Sequence, residues 1–288
     1  MNKKTIEKEI SFEGKALQTG EEVRLWCKPA GISDGILFKR TDLEASPVIA
    51  LKDALFSSGD RRSMLSSADG ACRIQTVEHF LAALWTLEID NIIVELSGSE
   101  LPALDGSSLE FIKKLKSAGL KEQSAPREFI KISEKEEVSE GTGKLTIFPD
   151  EVFSVSYHID YGPGVIKSET FTIYPERDCF EKEIAPARTF CLKAEAEALL
   201  KAGLGRGATY ENTLVLDETG PVGTTLRFPN EPVRHKILDL VGDLYLLGQP
   251  IIGRVEAQRS GHKINGKMMR KIYEKYARKM TKEKNYGK

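Results

Sequence analysis

No stretch of this chain approaches the ~20 consecutive apolar residues that a membrane-crossing helix requires. Its first ten residues hold no apolar run of the kind that directs secretion. Cysteine is sparse: Cys27, Cys72, Cys179 and Cys191 show neither C-x-x-C spacing nor the density of a disulfide scaffold. Free thiols in a reducing cytoplasm are therefore expected. An excess of one charge is missing too, since 42 Lys and Arg stand against 43 Asp and Glu, and nothing global points to nucleic acid. The H-E-x-x-H helix is absent. The spacing from Gly261 to Gly266-Lys267 has the outline of a phosphate-binding loop, but Met268 stands where a Mg²⁺-holding Ser or Thr is needed. Gly203, Gly205 and Gly207 follow a helical stretch, the wrong order for a dinucleotide fingerprint.

What is present is a globular composition, 40% hydrophobic and 30% charged, over 288 residues, enough for a full core and two domains. The segment Glu231-Pro-Val-Arg-His-Lys-Ile-Leu-Asp-Leu-Val-Gly-Asp243 predicts a helix with Pro232 in its first turn and Asn230 as its cap. Val233, Ile237, Leu240, Val241, Leu244 and Leu247 form its apolar arc. His235 and Asp239 fall one turn apart on another face, where an imidazole and a carboxylate can share a cation. From this helix alone a solvated His–Asp pair fits equally well. Lys236 and Asp243 flank the stripe.

A second helix is predicted after Thr76, its expected cap, with Val77, Phe80, Leu81, Leu84 and Leu87 along one stripe. His79 lies almost opposite that stripe, among Ala82, Ala83 and Thr86, residues small enough for another layer to come close. Glu78 suits the helix N-terminus electrostatically and also suits a general base beside a metal-bound water.

Strands are expected around Val23–Cys27, over Asn91–Leu96, Lys144–Phe148 and Phe153–Ile159, and from Ile251 to Gln258. Residues 109–120 and 191–203 read as helical, and a Ser260-Gly261-His262 turn leads into a terminal helix. His158 falls on a polar strand face with Ser154 and Ser156, as a surface histidine would. The polar, Pro-containing Ser124-Ala-Pro-Arg127 is the expected boundary between two α+β halves of similar order. The Lys- and Arg-rich stretch 267–288 reads as a solvated helix and tail rather than a membrane or phosphate site.

Taken together, Thr76-Val-Glu-His79, Val233-Arg-His-Lys-Ile-Leu-Asp239-Leu-Val-Gly-Asp243 and Ser260-Gly-His262 resemble the bacterial UDP-3-O-acyl-N-acetylglucosamine deacetylases, zinc hydrolases of lipid A biosynthesis. Ser11–Gly20, Glu88-Ile-Asp-Asn91, Leu101-Pro-Ala-Leu-Asp-Gly-Ser107, Ala187-Arg-Thr-Phe190 and Gly203-Leu-Gly-Arg-Gly207 through Asn212 extend the likeness nearly end to end. Residues 61–71 and Pro232 depart from the family's pattern. The resemblance implies a two-domain α+β sandwich with pseudo-duplicated halves, 1–125 and 126–288, and the site between them. A βαβ insert near 189–215 would shape an acyl passage, with Phe190, Leu192, Ala196, Leu199 and Leu200 as its candidates. The same residues would otherwise belong to an ordinary helix buried on one side.

The resemblance also implies Zn²⁺ held by His79, His235 and Asp239, Glu78 as base, and His262 as a cation stabilising the oxyanion or protonating the amine. Asp243 would orient His262, and Thr189 would donate to the oxyanion. Lys236, Phe190, Leu192, Asp160 and Tyr161 would contact the UDP-linked acylated sugar. The implied protein is a cytoplasmic monomer without nucleic-acid partner, stable membrane insertion or fused dehydratase. A zinc amidohydrolase for another acylated amino sugar would use the same ligands. A non-catalytic metal- or nucleotide-binding protein would not need Glu78 or His262.

Overall fold

The computed structural model describes residues 1–59, 62–174 and 177–277. The first half opens with β1 (Asn2–Ile6), then lays down β2 (Ile10–Lys15), β3 (Glu22–Pro29), β4 (Ile36–Arg40) and β5 (Val48–Ala50). A small three-stranded insert follows, β6 (Leu55–Gly59), β7 (Arg62–Ser66) and β8 (Arg73–Gln75). The half is completed by α1 (Glu78–Leu87), β9 (Ile92–Leu96), α2 (Leu109–Ser117) and β10 (Leu120–Pro126), which pairs with β1.

The second half runs through β11 (Ile130–Lys131), β12 (Glu136–Glu140), β13 (Gly143–Phe148), β14 (Ser154–Ile159) and β15 (Glu169–Ile173). Its insert holds α3 (Arg177–Glu183), β16 (Phe190–Leu192), α4 (Lys193–Lys201), β17 (Leu214–Asp217) and β18 (Gly220–Pro221). It closes with α5 (Glu231–Leu244), β19 (Ile251–Ile252), β20 (Arg254–Gln258) and α6 (His262–Ile272).

The duplication absent from the residues is plain in the topology. One sheet has the order β2-β3-β9-β4-β5 and the other β12-β13-β20-β14-β15. In each the last strand enters the middle, antiparallel to one neighbour and parallel to the other. A parallel pair needs a long crossover, and α1 and α5 are the helices of those crossovers. Both inserts occupy the same place, just before the crossover helix. The fold is thus an α+β sandwich of two like halves, each a five-stranded mixed sheet with two helices.

Strand β3 alternates as its sequence demands, with Val23, Leu25 and Cys27 buried. Helix α1 does not behave as an amphipathic surface helix, because every residue from Glu78 to Leu87 is buried. Phe80 meets Phe38 of β4 and Phe111 of α2, while Trp85 meets Phe153 and Phe180 of the second half. The small residues beside His79 admit α5. At the crossing, a Cβ on Gly242 would lie 2.0 Å from the Glu78 carbonyl oxygen.

Several expectations need correction. Thr76 does not cap α1; it sits at φ 56° and its hydroxyl donates to Glu100 Oε1 at 2.8 Å. Asn230 makes no side-chain cap either, because its Oδ1 accepts from Arg234 Nε at 2.6 Å. The run Ile251–Gln258 is two strands, broken at Gly253, where a Cβ would come 2.9 Å from the Phe148 carbonyl oxygen. Ser154 is buried, while His158 is half-buried with Nδ1 3.0 Å from Thr170 Oγ1.

The stretch 124–127 is no free linker. Residues 124–126 belong to β10, so a division after residue 125 falls inside that strand. Arg127 is buried, with Nε donating to Asp90 Oδ1 at 2.7 Å and its other nitrogens 3.4 Å from Glu88 and Tyr245. Tyr245 in turn donates to the Ile89 carbonyl at 3.0 Å. The halves are therefore pinned by a buried ionic cluster.

The α1–α5 contact generates a prediction. Gly242→Ala forces two backbones apart and should destabilise the protein by about 1–3 kcal/mol, the usual range for overpacking. Urea unfolding should show a lower midpoint at unchanged slope. A wild-type midpoint would mean that the crossing yields without cost.

Candidate metal centre

The first turn of α1 lies against the stretch of α5 from His235 to Gly242 where the two helices cross. His79 Nε2 lies 3.6 Å, and His235 Nε2 3.2 Å, from Asp239 Oδ1. The ligand atoms of these three buried residues all fall within 4.8 Å of one another, the one such group of three among the described residues. Tetrahedral zinc with ~2.0–2.1 Å bonds separates its ligand atoms by about 3.3 Å, close to both distances. The helix pair thus supplies a site that neither helix has alone.

Hydrogen bonding supports a cation there. His235 Nδ1 lies 3.0 Å from the Ala187 carbonyl oxygen, which makes Nδ1 the protonated nitrogen and turns the Nε2 lone pair inward. Asp239 Oδ1 is buried and has no hydrogen-bond partner. Lone pairs converging in a dry site repel unless a positive ion lies between them. Burial lowers the pKa of His79, favouring the neutral imidazole that a metal needs. Burial opposes ionisation of Asp239, but His235 and Lys236 hold it well below the ordinary carboxylate range. Lys236 Nζ donates to Asp239 Oδ2 at 2.6 Å.

Glu78 and His262 flank the cluster, with Oε1 and Nε2 3.8 Å apart. His262 is the first residue of α6 rather than part of a free turn, and its Nε2 lies 3.9 Å from Asp239 Oδ2. Burial pushes the Glu78 carboxyl up to about 8 although His262 opposes the shift. Burial acts against the charged form of His262, yet its ion pair with Asp243 raises it to about 9. Asp243 is itself wholly buried and accepts from His262 Nδ1 and Asn265 Nδ2, each at 2.8 Å.

A cavity of about 1220 Å³ opens from this cluster. Thr189, Phe190, Lys236, Asp160 and Tyr161 all line it. Thr189 is fixed from both sides, its N–H on the Gly106 carbonyl and its own carbonyl on the Leu214 N–H, each 2.8 Å. The Phe190 ring stands 6.2 Å from that of His235 and 5.9 Å from that of Tyr161. Asp160 Oδ2 pairs with Arg259 at 3.2 Å.

The βαβ insert exists, with β16 parallel to β17 around α4. No residue of α4 is buried, so it is not a helix sunk on one side; Ala196, Leu199 and Leu200 line the cavity instead. Leu192 is misplaced in the expectation, since it packs against the core outside the lining.

Some features escaped the sequence reading. Ser63 of β7 touches both Glu78 and Asp243, but it lies in the stretch that departs from the family's pattern. Arg188 and the fully buried Glu231 join through Nε and Oε1 at 2.9 Å and bolt the segment leading into β16 to the start of α5. The carboxylate in the first turn of α5 was the available signal. Ser108 Oγ donates to the His79 carbonyl at 2.8 Å, beyond the reach of any periodicity.

The suggestive glycine-lysine spacing after Gly261 is α6 itself, where a Cβ on Gly266 would lie 2.4 Å from Phe56. Along α6 and just beyond it, Lys267 pairs with Glu140 and Lys271 with Glu136, while residues 278–288 lie outside the described residues, as does Arg61.

Comparison with known proteins agrees with this arrangement. The family model for LpxC, UDP-3-O-acyl N-acetylglycosamine deacetylase, matches residues 3–274. The UDP-3-O-acyl-N-acetylglucosamine deacetylase of Pseudomonas entomophila is 40% identical over 275 residues, covering 94% of this chain and 90% of that protein. That of Marinobacter nauticus is 38% identical with the same coverage, and that of Myxococcus xanthus is 40% identical over 94% of this chain and 86% of its own.

The donor set makes a prediction independent of any substrate. Metal-stripped protein should take up one zinc ion per chain, measured by competition with a chromogenic chelator. His235→Ala and Asp239→Ala should each lose that uptake while keeping the native circular dichroism spectrum. Undiminished uptake by both variants would place the metal elsewhere.

Proposed function

Since the chain belongs to the UDP-3-O-acyl-N-acetylglucosamine deacetylase family, zinc-dependent hydrolases of lipid A biosynthesis, we propose how its own residues divide the reaction. His79, His235 and Asp239 hold the zinc. Zinc bound there supplies the Lewis acidity that polarises an amide carbonyl and acidifies water. The observation that carries this reading is the buried, unpartnered Asp239 Oδ1 facing two Nε2 atoms, with Glu78 and His262 close by.

Glu78 takes the proton of the attacking water on its carboxylate. Its place beside the ligand set, with Oε1 3.8 Å from His262 Nε2, lets it accept that proton and pass it on. His262, kept cationic by Asp243, stabilises the oxyanion and then delivers the Nε2 proton to the departing amine. Asp243 accepts the Nδ1 proton bond throughout and so keeps Nε2 aimed at the reaction centre. Thr189 adds a hydroxyl donor toward the oxyanion. The products are acetate and a free glucosamine amine.

The cavity suits the large, mixed chemistry of the substrate. Lys236 and Phe190 face the sugar, and Asp160 and Tyr161 take the uridine end. Ala196, Leu199 and Leu200 line the way for the acyl chain. We treat 1–125 and 126–288 as the two functional halves, because each contributes part of the centre. Both parts come from one chain, so a monomer is the active unit in this reading. The buried thiols Cys27 and Cys72 fit a cytoplasmic setting, and no helix of the described residues is long and apolar enough to cross a membrane.

The test is acetate release from UDP-3-O-acyl-N-acetylglucosamine by zinc-loaded protein. Glu78→Gln should keep its zinc yet lower kcat by about 10²–10⁴-fold, the range for losing a general base. Absence of release from folded, zinc-loaded wild type across several acyl lengths would overturn the substrate assignment. A fully active Glu78→Gln would overturn the role of Glu78.

A further inference from the structure

Ser63 is wholly buried on β7 and touches both groups that move protons in the proposed reaction. Its backbone N–H donates to Glu78 Oε2 at 3.2 Å. Its hydroxyl donates to Asp243 Oδ1, and the hydroxyl oxygen lies 3.3 Å from His262 Nδ1. A carboxylate shut away from water needs its lone pairs filled. Around Asp243, Ser63 fills Oδ1 while His262 and Asn265, both from α6, fill Oδ2. With its single proton committed to Oδ1, the serine leaves the imidazole Nδ1–H to Oδ2. In that arrangement His262 Nε2 points to Glu78 Oε1 and Asp239 Oδ2, at 3.8 and 3.9 Å.

The strand is held firmly enough for such a role. The insert β6–β8 rests on α6, where the Phe56 ring fills the space a side chain at Gly266 would need. On the other side, the Ser63 carbonyl accepts from the Thr76 N–H at 2.9 Å, just ahead of Glu78. One residue therefore ties the start of α1 to the acid pair of α5 and α6.

We propose that Ser63 is a positioning residue for the deacetylation: its hydroxyl sets the rotation of the Asp243 carboxylate and hence the aim of His262 Nε2. This rests on the reading of His262 as the group that serves the oxyanion and amine. It also gives the small insert of the first half a function, because β7 brings to the centre a donor that neither crossover helix carries. Alanine at position 63 keeps the backbone bond to Glu78 but leaves Asp243 Oδ1 without a donor, so carboxylate and imidazole can turn together.

The experiment compares zinc-loaded wild type, Ser63→Ala, His262→Ala and the double variant on UDP-3-O-acyl-N-acetylglucosamine, with zinc content and melting temperature recorded for each. Ser63→Ala should lower kcat by about 10–100-fold, the usual loss when a buried partner of a site residue is removed. KM and zinc content should stay at wild-type values, and the melting temperature should fall by only a few degrees, because Asp243 Oδ1 loses its donor. In the His262→Ala background the same change should cost nothing more, because the serine acts through the imidazole. If Ser63→Ala does not fold, Ser63→Cys, of similar volume but a weak donor, carries the same comparison. An unchanged kcat, a loss confined to KM, or an equal loss in both backgrounds overturns the proposal. An inactive wild type would instead overturn the function on which it rests.

Discussion

The close approach of α1 and α5 is the constraint on which the rest of the structure depends. Helices normally pack 8–10 Å apart because side chains stand between their axes. Here Gly242 removes the side chain at the crossing, and the Glu78 carbonyl occupies its place. That contact brings His79 of one helix to the His235–Asp239 stripe of the other. It also explains why α1 is buried all round: the sheet and α2 take one side, and α5 takes the other. A helix in that position cannot be amphipathic, and its polar residues survive only because each has a structural or chemical partner.

Burying so much charge between two halves requires compensation elsewhere along the same seam. Behind the centre, Arg127 joins Glu88 and Asp90, while Arg188 joins Glu231 at the start of α5. Losing one partner of such a pair costs about 3–5 kcal/mol, because the other charge stays buried and unpaired. The seam is therefore held in one register, and the register determines whether three ligand atoms converge. At the centre itself the compensation is incomplete, and Asp239 Oδ1 is left without a hydrogen bond. Incomplete satisfaction at that atom is the mark of a cation-binding site.

The inserts show how one topology is adapted twice. Both interrupt the chain just before a crossover helix, at the edge where the two halves meet. The second insert supplies the cavity wall through α4 and fixes His235 through the Ala187 carbonyl. The first insert supplies Ser63 and braces α6. The scaffold carries His79, His235 and Asp239, and the inserts provide their surroundings.

Sequence alone identified the fold class, both site helices, the placing of His235 and Asp239 on one face of α5, and the family. Those features are local or patterned: periodicity marks a helix, and a run of ordered motifs marks a relative. It misjudged Thr76 and Asn230 because a capping residue's side chain takes whichever partner tertiary packing offers, here Glu100 and Arg234. It placed a domain boundary at 124–127 from polarity and proline, which describe composition and not pairing, and so missed that residues 124–126 lie in β10, whose partner strand is at the opposite end of the half. The meeting of His79 with Asp239, 160 residues apart in number, was available only through resemblance, since nothing local encodes the distance between helices. The structure alone decided that Leu192 packs against the core and that Ser63 meets Glu78, Asp243 and His262. Both depend on which side chains are brought together across the seam, a three-dimensional relation with no period along the chain.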